Sequence, residues 1–155
     1  MAVLLYVSHP EVAIDPAVPV PDWGLSAKGR DRASAFAPHP LVASAGRIVA
    51  SREKKAIETA EILAAPRGLS VEIRDDLHEN DRSATGFLPP QEFEATANRF
   101  FAEPETSIRG WERAIDAQRR IVGAVTALLA ERPDIGTTVM VGHGGVGTLL
   151  LCQAG

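Results

Sequence analysis

The chain has 155 residues, 45% of them hydrophobic and 23% charged, and its 20 acidic against 16 basic side chains leave a formal net charge of -4. That length suits one hydrophobic core over residues 1–155, and that balance excludes a disordered polyelectrolyte or a chain whose main task is to hold nucleic acid or an anionic membrane. The lone Cys152 excludes an internal disulfide framework, the opening MAVLLYV lacks the basic lead and length of a secretion signal, and no run nears the roughly 18 apolar residues of a membrane span, which together predict a cytoplasmic protein.

Val3 to Val7 is a short unbroken apolar run, the pattern of a strand buried on both faces in a parallel sheet. From Pro10 to Trp23 four prolines and no helical period predict a long loop at that strand's C-terminal end. Ser26 opens a helix running to Ala37, and Pro38-His39-Pro40 breaks it. Arg47 to Ala50 reads as a second buried strand, with Ser51 as N-cap of the next helix. In that helix Ala56, Thr59, Ala60 and Leu63 make one core-facing stripe, and Pro66 and Gly68 end it.

A short strand is expected over Ser70 to Arg74, then a polar loop over Asp75 to Pro90 and a helix over Pro90 to Ala102. The spacing of Trp111, Ile115, Gln118, Val122, Val125 and Leu129 predicts a long core helix from about Ile108 to Glu131. Thr137 to Val141 is a fourth, β-branched strand, and Gly142-His143-Gly144-Gly145 leads into an apolar segment ending at Cys152. Strands alternating with helices predict an α/β fold with a mostly parallel sheet. The uncovered apolar end predicts a natural domain that continues past Gly155, and it shares with Trp111 the role of candidate homo-oligomer surface, burial within one chain being the alternative.

Ligands of open α/β sheets lie beyond the C-terminal ends of the strands, where this sequence places His9 and His143. A neutral imidazole is a competent nucleophile toward phosphorus, and a neighbouring imidazolium stabilises charge on the phosphoryl oxygens. Gly144-Gly145 at a helix start predicts free backbone N–H groups for an anion, and Glu79, in the loop after the third strand, is a candidate proton donor to a leaving oxygen. Three other chemistries are poorly supported. The G-x-G-x-x-G at Gly142 to Gly147 has no acidic residue about 20 positions later, Ser8 and His9 are strand neighbours facing opposite sides, and His9, His39, His78, His143 and Cys152 offer no close zinc-ligand pair.

Several stretches, in order, resemble the histidine phosphatase superfamily, which includes phosphoglycerate mutases. They are Tyr6-Val7-Ser8-His9-Pro10, Leu25-Ser26-Ala27-Lys28-Gly29-Arg30, Ser51 with Lys55-Ala56 and Thr59-Ala60, Leu77-His78-Glu79, and His143-Gly144-Gly145. The resemblance implies a three-layer, phosphoglycerate mutase-like architecture and a phosphomonoesterase or phosphomutase acting on a small phosphorylated metabolite without metal or cofactor. His9 would become phosphorylated, Glu79 would protonate the leaving group, and His143 would hold the transferring group. A protein phosphohistidine is an alternative substrate.

The sequence departs from the family where phosphate is clamped. Ser8 and Lys55 stand in place of two arginines, and Pro10 follows the nucleophile in place of glycine. Serine offers one neutral hydroxyl and lysine a compact charge where arginine offers a planar fork. Arg82 is expected to restore part of the lost charge, with Ser8, Lys55 and Gly144 as the remaining phosphate contacts, and Arg52 is a second replacement candidate. A catalytically silent phospholigand-binding module of the same fold is the competing expectation.

Overall fold

A computed structural model describes residues 2–154 of the chain. Four strands, β1 (Val3–Ser8), β2 (Arg47–Ser51), β3 (Val71–Arg74) and β4 (Thr137–Gly142), form one sheet in the order β1-β4-β2-β3. Every neighbouring pair is parallel. Among the described residues six α-helices flank it: α1 (Ala27–Phe36), α2 (Pro40–Ala43), α3 (Lys54–Ala64), α4 (Pro90–Ala102), α5 (Ala114–Glu131) and α6 (Gly144–Ala154).

Alternation along the central strands divides the core in two. Ile48, Ala50, Val139 and Val141 pack with Val42, Ala56, Ala60 and Leu63 on one face. Val49 and Met140 pack with Phe100, Trp111, Ile121 and Leu128 on the other. Successive strand residues point to opposite faces, so each central strand feeds both layers, as a helix–sheet–helix sandwich requires.

Four sequence expectations are corrected. Strand β1 lies at the sheet edge and is half-buried, because β4 covers only one of its sides. The long helix begins at Ala114, not near Ile108, because Arg109 (φ 51°) and Gly110 (φ 82°) adopt the left-handed backbone that no α-helix continues through. Trp111 is buried in that loop, its indole N–H donating to Thr85 Oγ1 at 2.8 Å, so it is no oligomer surface. Ser51 ends β2, and Glu53 takes the N-cap position of α3.

Helix α1 starts where expected, and Ser26 proves to be its cap, the hydroxyl accepting the Gly29 N–H at 3.0 Å. A Cβ at Gly29 would strike the Glu11 carbonyl oxygen, so this glycine lets α1 lie directly against the 10–25 loop. Trp23 organises that loop by donating its indole N–H to Asp15 O and Val18 O, both at 2.9 Å.

Candidate active site

Strands β1 and β4 end side by side, which brings together two residues separated by most of the sequence. The rings of His9 and His143 meet edge to face with centroids 5.3 Å apart. They open onto a cavity of about 760 Å³ walled by the 10–25 and 75–90 loops and lined also by Glu53, Lys55, Glu79, Asn80 and Arg82. Val12, Ile14, Val20, Trp23, Phe87 and Phe93 make the rest of the wall largely apolar.

His9 is oriented by its neighbour. Its Nδ1 lies 2.9 Å from the Pro10 carbonyl oxygen, which only accepts, so Nδ1 carries the hydrogen and Nε2 keeps the lone pair. Burial holds its pKa below the usual histidine value, leaving the imidazole neutral at neutral pH.

His143 is fixed from both ends. The Tyr6 hydroxyl accepts the His143 N–H at 2.9 Å and donates to its carbonyl at 3.0 Å. Gly142 and Gly147 leave the space that the Tyr6 ring fills. Its Nε2 lies 3.0 Å from Glu53 Oε2 and 2.7 Å from Ser51 Oγ. Burial pushes its pKa down to about 4, against the opposing pull of Glu53 and Glu79, so it is a neutral N–H donor and not the imidazolium expected from the sequence.

Glu79 reaches the cavity but is already engaged. One carboxylate oxygen accepts the Gly145 N–H and the other the Val146 N–H, each at 2.9 Å. Of the Gly144 and Gly145 N–H groups that the sequence left free for an external anion, that of Gly145 is therefore taken, together with that of Val146. A Cβ at Gly145 would lie 2.5 Å from Glu79 Oε1, so the glycine is what admits this carboxylate.

The expected phosphate contacts divide. Lys55 is buried on the cavity wall, its Nζ donating to Val20 O at 2.8 Å and lying 3.3 Å from Glu53 Oε1. Arg82 also lines the cavity, its guanidinium 4.8 Å from the Phe93 ring centroid and 5.2 Å from that of Trp111, with Nη2 3.5 Å from Glu79 Oε2. Ser8 and Gly144 are both exposed and outside the cavity lining. Arg52 is exposed and paired with Asp75, away from the cavity.

Three residues that matter here were invisible in sequence. Tyr6 looks like strand filling, Asn80 like a turn residue, and Glu53 like a solvated helix start. Glu53 instead receives the Glu79 N–H at 2.9 Å and faces both Lys55 and His143. Those contacts hold its carboxyl below the usual range although burial alone would raise it. Asn80 is buried with Oδ1 accepting from Arg82 Nε at 3.1 Å, while its Nδ2 has no partner. Among the described residues no group of three or more His, Cys, Asp or Glu side chains is arranged to hold a metal ion, and no helix is long and apolar enough to cross a membrane.

A parallel α/β sheet with paired histidines at adjacent strand ends defines the class of protein. The chain belongs to the histidine phosphatase superfamily, branch 1, whose family model matches residues 15–155. Its fold is similar to that of a mycobacterial glucosyl-3-phosphoglycerate phosphatase solved with VO3 (24% identity, TM-score 0.82, covering 97% of this chain and 78% of that one). It is also similar to YhfR of Bacillus stearothermophilus (23%, TM-score 0.76, 97% and 78%) and to the alpha-ribazole phosphatase of Shigella flexneri (20%, TM-score 0.71, 97% and 78%). No curated protein matches the sequence.

Proposed function

We propose that this protein is a cytoplasmic phosphomonoesterase, or a phosphomutase, that acts on a small phosphorylated metabolite through a phosphohistidine at His9. One observation carries the reading: a half-buried His9, its Nδ1–H held by the Pro10 carbonyl, keeps its Nε2 lone pair at a cavity shared with His143. In the first step Nε2 attacks phosphorus, an N–P bond forms and the ester P–O bond breaks. Glu79 relays a proton from solvent to the leaving oxygen, one of its oxygens giving up an α6 N–H to carry it while the other keeps its own. Water, or a second substrate hydroxyl in a mutase, then takes the phosphoryl group from His9. Lys55 and Arg82 supply the positive charge.

A second reading, the silent phospholigand-binding module, draws support from the carboxylate of Glu53 beside Lys55. Incubation of the purified chain with an aryl phosphate and with a reactive phosphodonor separates the two. Hydrolysis with an acid-labile label on His9, both lost in His9→Ala, is the result expected of the enzyme. Phosphate binding with neither label nor turnover assigns the module.

A further inference from the structure

The cavity shared by His9 and His143 is larger than a phosphate group needs. Its volume of about 760 Å³ suits a drug-sized molecule, of which a phosphate is a small part. Contacts of Glu53 with Lys55 and His143, and of Glu79 with Arg82, hold charged side chains about the paired histidines. The remaining volume therefore faces the organic part of a phosphomonoester.

The 10–25 loop lines that volume with Val12, Ile14, Pro19, Val20, Pro21 and Trp23, all apolar apart from the indole nitrogen. That indole N–H already donates to Asp15 O and Val18 O at 2.9 Å. The two prolines bring no backbone N–H, and Val20 O already accepts from Lys55 Nζ at 2.8 Å. From the other loop Phe87 meets Trp23, their ring centroids 5.7 Å apart.

Ile14 is 60% exposed and Phe87 38%, one on each loop of the cavity. Large apolar side chains left to solvent in this way cost free energy that an apolar ligand lying on them recovers. A sugar or polyol ester would bring hydroxyls to a wall whose polar atoms are engaged, and each would lose its bond to water. His78, Asp81 and Ser83 line the other wall, and Asp81 Oδ1 already accepts the Ser83 N–H at 2.8 Å.

We infer that the organic part of the substrate is a bulky apolar group, seated between the 10–25 loop and Phe87, and not a sugar or polyol. The inference deepens the phosphomonoester reading given above and rests on its head-group site at His9.

Non-hydrolysable phosphonates make the test independent of turnover. Titration calorimetry compares 3-phenylpropylphosphonate with 3-hydroxypropylphosphonate, which carry one head group on one tether and differ in the terminal group. Expected is binding of the phenyl compound at least about tenfold tighter, with that preference cut at least about threefold in Ile14→Ser and in Phe87→Ser. The two positions are exposed and lie on different loops, so either variant serves if the other fails to fold. Equal or weaker binding of the phenyl compound by wild type overturns the apolar reading and leaves the head-group site standing. A preference unchanged in a folded variant overturns the seat between these loops. Binding of neither phosphonate overturns the inference and the phospholigand reading together.

Discussion

Replacing Glu79 by alanine tests whether this residue holds α6 as well as serving the cavity. The carboxylate accepts two backbone N–H groups at 2.9 Å from the first turn of α6, where the helix dipole also favours negative charge. Hydrogen bonds to charged groups contribute about 1.5–3 kcal/mol each. The Glu79 side chain retains 15% exposure, so water compensates part of the loss, and about 3 kcal/mol in total is the expected cost. For a chain of this size that corresponds to a fall in Tm of about 6–12 °C. Thermal unfolding followed by circular dichroism gives the shift, and amide exchange at Gly145 and Val146 should accelerate in parallel. Glu79→Gln, with one acceptor left, should recover about half of the loss. A folded Glu79→Ala protein whose Tm falls by less than about 2 °C, with those amides still protected, would refute the capping argument.

Three further outcomes are expected. His143 titrates near 4 in the folded protein against 6.5 in the unfolded chain, so the unfolded state takes up the extra proton and stability falls as pH drops from about 6.5 toward 4. The upper bound is about 3 kcal/mol, with His9 adding in the same direction; urea midpoints at pH 5 and 7 read it, and His143→Gln should flatten the slope. Gly110→Ala should cost about 2–3 kcal/mol in urea unfolding, because φ is 82° and the new Cβ would lie 2.8 Å from that of Ala84; a loss below about 0.5 kcal/mol would contradict this. Arg82→Ala should lower stability by about 1–2 kcal/mol through its lost stacking on Phe93 and Trp111 and should weaken phosphate binding; unchanged phosphate affinity would remove Arg82 from the head-group site.

Much of the sheet was legible because its signals are local. Arg47 to Ala50 and Thr137 to Val141 are apolar runs that only a strand covered on both faces explains, and both are central strands. The N-terminal limit of α5 was not legible, because Trp111 continues the helical spacing by coincidence: it packs into the same core from a loop whose left-handed residues, one of them an arginine, carry no strong sequence mark. His9, His143 and Glu79 were readable as strand-end and loop residues, and the structure gathers all three around one cavity. Glu53 was not, since its meaning depends on His143, ninety positions later. Ser51 was misread for the same reason: its hydroxyl, expected to cap a helix, lies 2.7 Å from that distant imidazole.

The strand order β1-β4-β2-β3 bears on how the cavity comes into being. The fourth strand of the described residues is an inner one, wedged between the first and second. During synthesis His9 emerges early yet stays without its partner until Thr137–Gly142 has threaded into place. The pairing of these two imidazoles is consequently all-or-none, and no nascent fragment ending before β4 can form it.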